Sequence, residues 1–208
     1  MQTNMLKTLS RFILSLLGWQ LEANLPSEKK FVIIGAFHTS NWDFVIGILG
    51  MWALGLKASW VGKHTLFRGP LGPLFKRMGG IPVDRTLHTG FIRRVAELYQ
   101  SRHQMALTIA AEGTRSRTEY WKTGFYFIAV EAGVPIALGY LDWGKKKVGI
   151  GTTLYPTGDI KRDFEVIRDF YRDKTGLRPE NQGPIALPPK YGTDANQRSA
   201  DGQQQPSL

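Results

Sequence analysis

Residues 30–50 read KFVIIGAFHTSNWDFVIGILG, and this stretch contains a strand, a polar turn and the start of a helix. The apolar run 31–37 is short and rich in β-branched residues, which predicts a strand buried on both faces. Thr39, Ser40 and Asn41 follow it and favour the start of a helix, which we place from about Asn41. A strand that leads directly into a helix is the first unit of an α/β fold.

The alternation of strand and helix continues along most of the chain. Short apolar runs predict further strands at 58–61, 81–83, 105–111, 135–143 and 147–154. Segments with helical periodicity predict helices from 73 to 79, 91 to 102, 121 to 132 and 161 to 175. We predict a single α/β domain over residues 25–189, with a mixed sheet flanked by helices. The polar segment 190–208 has little to bury and is predicted to be a disordered tail.

Residues 1–24 are predicted to form a separate amphipathic helix. Apolar residues recur at helical spacing between 5 and 21, while Lys7 and Arg11 lie on the opposite face. Arg11 interrupts the apolar stretch, so the segment is neither a membrane span nor a cleavable signal. Trp19 at its end and the two cations favour a membrane surface over the protein's own core. We predict peripheral association with the cytoplasmic face of a membrane.

Composition narrows the function without deciding it. The chain has 208 residues, no cysteine and a formal charge of +10. Cysteine nucleophiles, disulfides and thiolate zinc sites are therefore excluded, and a reducing compartment is compatible with the composition. Residues 57–102 hold nine Lys or Arg against two acidic residues. Such a surface concentrates anions, whether nucleic acid, acidic headgroups or phosphorylated substrates.

His38 and Asp43 form the first candidate for chemistry. His38 stands directly after the predicted buried strand, and Asp43 falls in the first turn of the predicted helix. A carboxylate there can fold back to the imidazole, set its tautomer and stabilise the imidazolium, which is the arrangement of a general base. An isolated H-x4-D is common, so a strand-ending His and an Asp that complements the helix dipole remain an alternative.

Two further segments suit an anion. The loop 112–116, EGTRS, follows another predicted strand and offers backbone N–H groups, two hydroxyls and a guanidinium that can bind phosphate. Arg85 ends the motif GGIPVDR at a strand edge, where its forked guanidinium also suits phosphate. An ion pair of Arg85 with a neighbouring acid such as Asp84 is the competing interpretation.

Four motifs occur in order along the chain: HTSNWD at 38–43, GGIPVDR at 79–85, EGTRS at 112–116 and VPIAL at 134–138. Together they resemble the glycerophospholipid acyltransferase family, in its lysophosphatidic acid acyltransferase branch, over about residues 25–155. The chain departs from the family at Phe37, where Asn is usual, and at Ala110-Ala111, where Phe-Pro is usual. Neither departure removes a reacting group. Both leave the identity of the acceptor less well defined than the type of reaction.

The resemblance implies an O-acyltransferase with a glycerolipid acyltransferase-like fold. His38 would deprotonate the acceptor hydroxyl and Asp43 would orient His38. Arg85 and the loop residues would bind the acceptor phosphate, with Arg115 foremost beside Glu112, Gly113, Thr114 and Ser116. Residues 134–136 would help to shape the acyl site. The reaction would move an acyl group from acyl-CoA or acyl-ACP to a lysophospholipid, first of all 1-acylglycerol-3-phosphate, giving phosphatidic acid. No metal or redox cofactor is implied, and the thioester is a co-substrate.

Two alternatives stay open. The acceptor can be another lysolipid or phosphorylated molecule, or the chain can be a non-catalytic basic module that binds nucleic acid or a membrane. The aromatic run 124–127 beside Lys122 loosely suits base stacking, but its segment is predicted to be helical, so we expect no nucleic-acid partner. A serine hydrolase has no support, because no G-x-S-x-G occurs. No two histidines stand at i, i+4, so a metal site has no support either.

Overall fold

Seven strands form one sheet in the computed structural model, which describes residues 4–83 and 88–191. The strands are β1 (Gln20–Ala23), β2 (Lys30–Ala36), β3 (Ala58–Lys63), β4 (Gly80–Val83), β5 (Met105–Ile109), β6 (Ile136–Asp142) and β7 (Lys147–Leu154). The helices are α1 (Asn4–Leu16), α2 (Trp42–Ala53), α3 (Gly72–Arg77), α4 (His88–Ser101), α5 (Gly124–Ala132) and α6 (Ile160–Tyr171). Short 3-10 helices occur at His64–Phe67, Pro179–Asn181 and Pro189–Tyr191.

The sheet is mixed, and its order is β1-β7-β6-β2-β5-β3-β4. Every pairing is parallel except that of β6 with β7, which is antiparallel. β2 lies between β5 and β6, so this apolar segment forms an interior strand. The predicted fold class, an α/β domain with a mixed sheet flanked by helices, is confirmed.

Helices cover both faces of the sheet, and the alternation of side chains along β2 serves both layers. Val32 and Ile34 join the larger core cluster, to which α4, α5 and α6 contribute. Phe31 and Ile33 point the other way into a smaller cluster that also holds Ala137 of β6. This two-sided burial explains why β2 is apolar at nearly every position.

Some predicted boundaries are wrong for reasons that lie outside the local sequence. The helix predicted from 121 begins only at Gly124, because the backbone N–H groups of Trp121 and Lys122 donate to the carbonyls of Ala186 and Ala111 at 2.9 and 2.7 Å. The helix predicted to reach 175 ends at Tyr171. Strand β1 has no apolar run and was not predicted; it exists because β7 offers it a parallel partner.

The N-terminal helix is present, but it is seated differently from the prediction. It ends at Leu16, and Gly18 then turns the chain with a φ of +76°. Trp19 was expected at a membrane interface; this is wrong, because its side chain is only 5% exposed and meets Trp143 edge-on at 4.9 Å. The Arg11 guanidinium donates to the carbonyl of Ala53 at 3.0 Å, at the carboxyl end of α2, where such carbonyls lack helical partners.

The outer side of α1 carries an apolar stripe, formed by Met5, Leu9, Phe12 and Leu16, which are between 49% and 75% exposed. Leu14, on the inner side, packs with Ile46 and Ala53 of α2. Within the described ranges, no helix has the length and apolar character needed to cross a bilayer. Of the predicted tail 190–208, Lys190 and Tyr191 end the described chain, and Tyr191 stacks on Phe127; residues 192–208 lie outside it.

Candidate active site

The candidate site lies at the carboxyl edge of the sheet. β2 and β5 are parallel neighbours, so the chain leaves both strands at the same edge. The residues that follow β2 form a turn over 37–43, which we call the His38 turn, and those that follow β5 lead into the loop 110–117. In open α/β sheets, ligands bind in the crevice outside the carboxyl ends of the strands. The topology thus brings the first and third motifs together.

Asp43 is the buried centre of the His38 turn. Its Oδ2 accepts the backbone N–H groups of Thr39 and Ser40, both at 2.6 Å, and its Oδ1 accepts the indole N–H of Trp143 at 2.8 Å. The same Oδ2 lies 3.9 Å from Nδ1 of His38, within ion-pair distance but beyond hydrogen-bond length. Such bonds are often long before substrate binds. Three N–H donors therefore hold a negative charge beside an imidazole that is 29% exposed.

Glu112, predicted among the phosphate-binding residues, instead lies beneath the His38 turn. Its Oε1 accepts the backbone N–H of His38 at 3.0 Å, and its Oε2 is buried with no hydrogen-bond partner among the described residues. Burial raises the pKa of Glu112 to about 7, although the N–H of His38 opposes part of that rise. In this structure Glu112 fixes the backbone of His38 from below and does not line the cleft above it.

A cleft of about 370 Å³ opens above the turn. It is lined by Thr39, Ser40, Asn41, Trp42, Arg115, Ser116, Arg178 and Asn181. Arg115 and Ser116 therefore line it, whereas Gly113 and Thr114 shape the loop itself. Gly113 has a φ of +70°, and the Thr114 hydroxyl accepts the N–H of Ser116 at 3.3 Å. Arg85 lies outside the described residues.

The backbone N–H groups of the turn are largely occupied. Besides the two bound by Asp43, the N–H of Trp42 donates to the Ser40 hydroxyl at 3.2 Å and that of Phe44 to the carbonyl of Asn41 at 3.2 Å. Among residues 4–83 and 88–191, the N–H groups of Asn41 and Asp43 have no acceptor, and Asp43 does not line the cleft. Asn41 lines the cleft, so one uncommitted N–H donor stands at its edge.

Three contributors to the site carried no readable signal in the sequence. Trp143, which holds Asp43, lies 100 residues further along the chain, just after β6. Arg178 and Asn181 lie beyond α6, in a segment without any motif. Only the positive charge of Arg178 could have marked it, and the chain has 27 Lys and Arg residues to choose from. Trp143, Arg178 and Asn181 reach the site through tertiary structure alone.

The remaining chemistry-bearing candidates fall away from the cleft. In the aromatic run 124–127, Phe125 and Tyr126 are each 1% exposed and pack in the core, which removes the observation that favoured base stacking. Across the described part of the chain, no three His, Asp or Glu side chains cluster closely enough to hold a metal ion. The charged side chains among the residues that line the cleft are those of Arg115 and Arg178, and His38 and Asp43 lie in the turn beside it.

Two comparisons with known proteins found matches. The family model for Acyltransferase matches residues 19–137, more than half of the 208 residues. The fold is similar to the crystal structure of the 1-acyl-sn-glycerophosphate (LPA) acyltransferase, PlsC, from Thermotoga maritima, with a TM-score of 0.56 and 17% sequence identity over 81% of this chain and 78% of that one. At this identity the likeness shows a shared fold. No curated protein matches the chain significantly.

Proposed function

The chain belongs to the acyltransferase family, and from this premise we propose that it transfers a fatty acyl group from a thioester donor to the hydroxyl of a lysophospholipid. The acceptor we propose is 1-acylglycerol-3-phosphate, the donor acyl-CoA or acyl-ACP, and the product phosphatidic acid. The observation that carries the proposal is the His38 turn: a partly exposed imidazole beside a buried, fully hydrogen-bonded carboxylate, at the edge of a cleft lined by two arginines.

In the proposed reaction, His38 accepts the proton of the acceptor hydroxyl while its oxygen attacks the thioester carbonyl. The charge of Asp43, 3.9 Å from Nδ1, favours the imidazolium that forms. Collapse of the tetrahedral intermediate breaks the carbon–sulfur bond, and the imidazolium returns its proton to the departing thiolate. The thioester is already activated, so the protein's task is to deprotonate, align and stabilise charge. The scheme needs no metal or redox cofactor.

The oxyanion of the intermediate requires a hydrogen-bond donor, and we assign the backbone N–H of Asn41 to this role. Neighbouring N–H groups of the turn donate to Glu112, Asp43, Ser40 and the Asn41 carbonyl. Backbone N–H groups held rigidly before reaction are effective because no reorganisation is needed when charge develops. The buried network around Asp43 supplies that rigidity.

The acceptor phosphate is assigned to the cationic side of the cleft. Arg115 and Ser116 offer a guanidinium and a hydroxyl there, which are suitable donors to phosphate oxygens. The family resemblance also gives Arg85 a role in phosphate binding, which stays a prediction because Arg85 lies outside the described residues. A phosphate bound on this side holds the acceptor against Thr39 and Ser40, the residues that directly follow His38 in the turn.

We place the enzyme on the cytoplasmic face of a membrane, with the apolar stripe of α1 in the surface layer. A lysophospholipid acceptor resides in the bilayer, so an enzyme that uses it must approach that surface. The stripe repeats at i, i+4, i+7 and i+11 and is exposed, which suits an interfacial helix. Leu9→Ser with Phe12→Ser should reduce flotation with liposomes, whereas the exposed Val166→Ser on α6 is the matched control. Unchanged flotation of the stripe variant would contradict this placement.

The function is tested by acyl transfer from a labelled thioester to a panel of lysolipids, with wild type and His38→Ala side by side. Wild type should form phosphatidic acid from lysophosphatidic acid, and His38→Ala should lower kcat by about 100- to 10,000-fold, the range for loss of a general base. His103→Ala, at an exposed histidine after α4, is the control and should keep full activity. Comparable turnover by His38→Ala would exclude the mechanism, and product from a different lysolipid alone would replace the acceptor.

A further inference from the structure

Residues 172–183 form one side of the cleft, and we call this segment the C-terminal wall. It follows α6, contains the 3-10 helix Pro179–Asn181, and places Arg178 and Asn181 at the cleft. The opposite sides are the His38 turn and the loop with Arg115 and Ser116. Any ligand that fills the cleft therefore contacts the wall as well as the two motifs.

The wall is attached to the His38 turn. The backbone N–H of Arg178 donates to the Thr39 hydroxyl at 3.2 Å. Gly176 packs so closely on the turn that a Cβ there would stand 2.8 Å from Cγ2 of Thr39. The carbonyl of Thr175 accepts the N–H of Trp143 at 2.8 Å, and the indole of Trp143 holds Asp43. Arg178 is thus positioned by the same residues that position the base.

The wall is also attached to the phosphate-binding loop. The Arg117 guanidinium, one residue after Ser116, donates to the carbonyl of Gln182 at 2.6 Å. The Gln182 side chain accepts the N–H of Gly176 at 3.0 Å and donates to the carbonyl of Lys174 at 3.1 Å, which closes the wall on itself. The two arginines of the cleft therefore stand on supports that are tied to each other.

Neither arginine of the cleft has a carboxylate partner within the described residues. Other cations nearby are neutralised: Arg172 pairs with Asp169 at 3.4 Å, and Lys145 with Asp173 at 2.7 Å. Glu180, the nearest acid along the chain, is exposed and does not line the cleft. Two uncompensated guanidinium groups that face one cleft create a site for a doubly charged anion.

We propose that Arg178 binds the acceptor phosphate together with Arg115 and selects phosphate monoesters over phosphodiesters. This inference rests on the proposed function and names the residue that sets its acceptor class. A phosphate monoester carries between one and two negative charges at neutral pH and three terminal oxygens, enough for two forked cations. A phosphodiester carries one charge and two such oxygens, which a single arginine satisfies. Arg178 is a specificity residue and takes no part in proton transfer.

The test measures acceptor dependence at saturating thioester, with acceptors in neutral detergent micelles so that surface charge does not vary. The two acceptors are the monoester lysophosphatidic acid and the diester lysophosphatidylglycerol. The diester is tested as a substrate or as a competing inhibitor. The variants are Arg178→Ala, Arg178→Lys and the control Arg172→Ala, on the same wall but paired away from the cleft. Thermal unfolding checks that each variant folds. Arg178 is hydrogen-bonded to Thr39 through its backbone N–H and not through its side chain, so substitution of Arg178 leaves that contact in place.

Arg178→Ala should raise the KM for lysophosphatidic acid by about 10- to 100-fold, as expected for a lost charge-assisted contact, and change the diester's KM or inhibition constant by less than about threefold. Arg178→Lys should fall between, because it keeps the charge and loses the fork. Arg172→Ala should match wild type. Equal effects of Arg178→Ala on both acceptors, or no effect on either, would overturn the role of Arg178. The proposed function would still stand if wild type turns over lysophosphatidic acid.

Calorimetric titration with glycerol 3-phosphate separates the two proposals. Binding should weaken by about tenfold or more in Arg178→Ala and persist in Arg172→Ala. If this difference in binding is found but wild type transfers no acyl group, the monoester site stands and the proposed function is overturned. Binding that is equal in wild type and Arg178→Ala would remove Arg178 from the site whatever the enzyme turns over.

Discussion

The His38 turn and the C-terminal wall face the same cleft but are built in opposite ways. In the turn, a buried carboxylate binds three N–H groups and a buried glutamic acid binds a fourth, so His38 stands on a buried polar network. The wall is largely exposed and is held by its backbone and by Gln182. Under the two proposals, the turn provides reactivity and the wall provides acceptor choice.

The largest effect that would test this division concerns Asn41. Its φ of −66° matches that of proline, so Asn41→Pro removes the N–H while it keeps the local φ. We expect kcat to fall by about 100- to 1000-fold with little change in KM, the usual result when an oxyanion donor is lost. Asn41→Ala, which keeps the N–H, is the control. If both variants lost activity equally, the Asn41 side chain would matter and the backbone assignment would fail.

A second effect concerns the buried support of the turn. Burial raises the pKa of Glu112 to about 7 from an ordinary value of 4.5, so the folded protein keeps a proton that the unfolded chain loses in this interval. The free energy of unfolding should therefore fall by on the order of 3 kcal/mol as pH rises from about 4.5 to about 7, and stay level above that.

Urea unfolding at a series of pH values measures this dependence. Glu112→Gln keeps an oxygen for the N–H of His38 and removes the titration, so its unfolding free energy should lack the decline. Glu131→Gln, at an exposed glutamate of α5, should retain it. A wild-type profile as flat as that of Glu112→Gln would show that Glu112 is ionised in the fold.

The smallest effect concerns the contact between the two regions. Thr39→Val keeps the shape of the side chain and removes the hydroxyl that accepts the N–H of Arg178. We expect a loss of about 1 kcal/mol in stability, typical for one hydrogen bond, and a rise of a few fold in the KM for lysophosphatidic acid at unchanged kcat. Val45→Thr, at an exposed position of α2, is the control. A fall in kcat instead would mean that the wall also supports the base.

The same contrast separates what could be predicted from the sequence from what could not. The turn was predictable because strand, capping residues, His38 and Asp43 are adjacent in the chain, and the loop because a glycine, two hydroxyls and Arg115 follow a strand directly. Glu112 lay in that motif, but its burial beneath His38 depends on the pairing of β2 with β5. Trp143, Arg178 and strand β1 depend on contacts between distant segments, and local patterns do not encode them.

Trp143 connects the end of α1 to the His38 turn. One edge of its indole holds Asp43, and its ring meets Trp19, the residue that anchors the end of α1 to the body of the domain. Lys146 lies over both rings at 5.3 Å and keeps them together. Two aromatic rings therefore lie between the end of α1 and the carboxylate of Asp43. Under the proposed function, the surface helix and the proton acceptor therefore share one structural support, the Trp19–Trp143 pair.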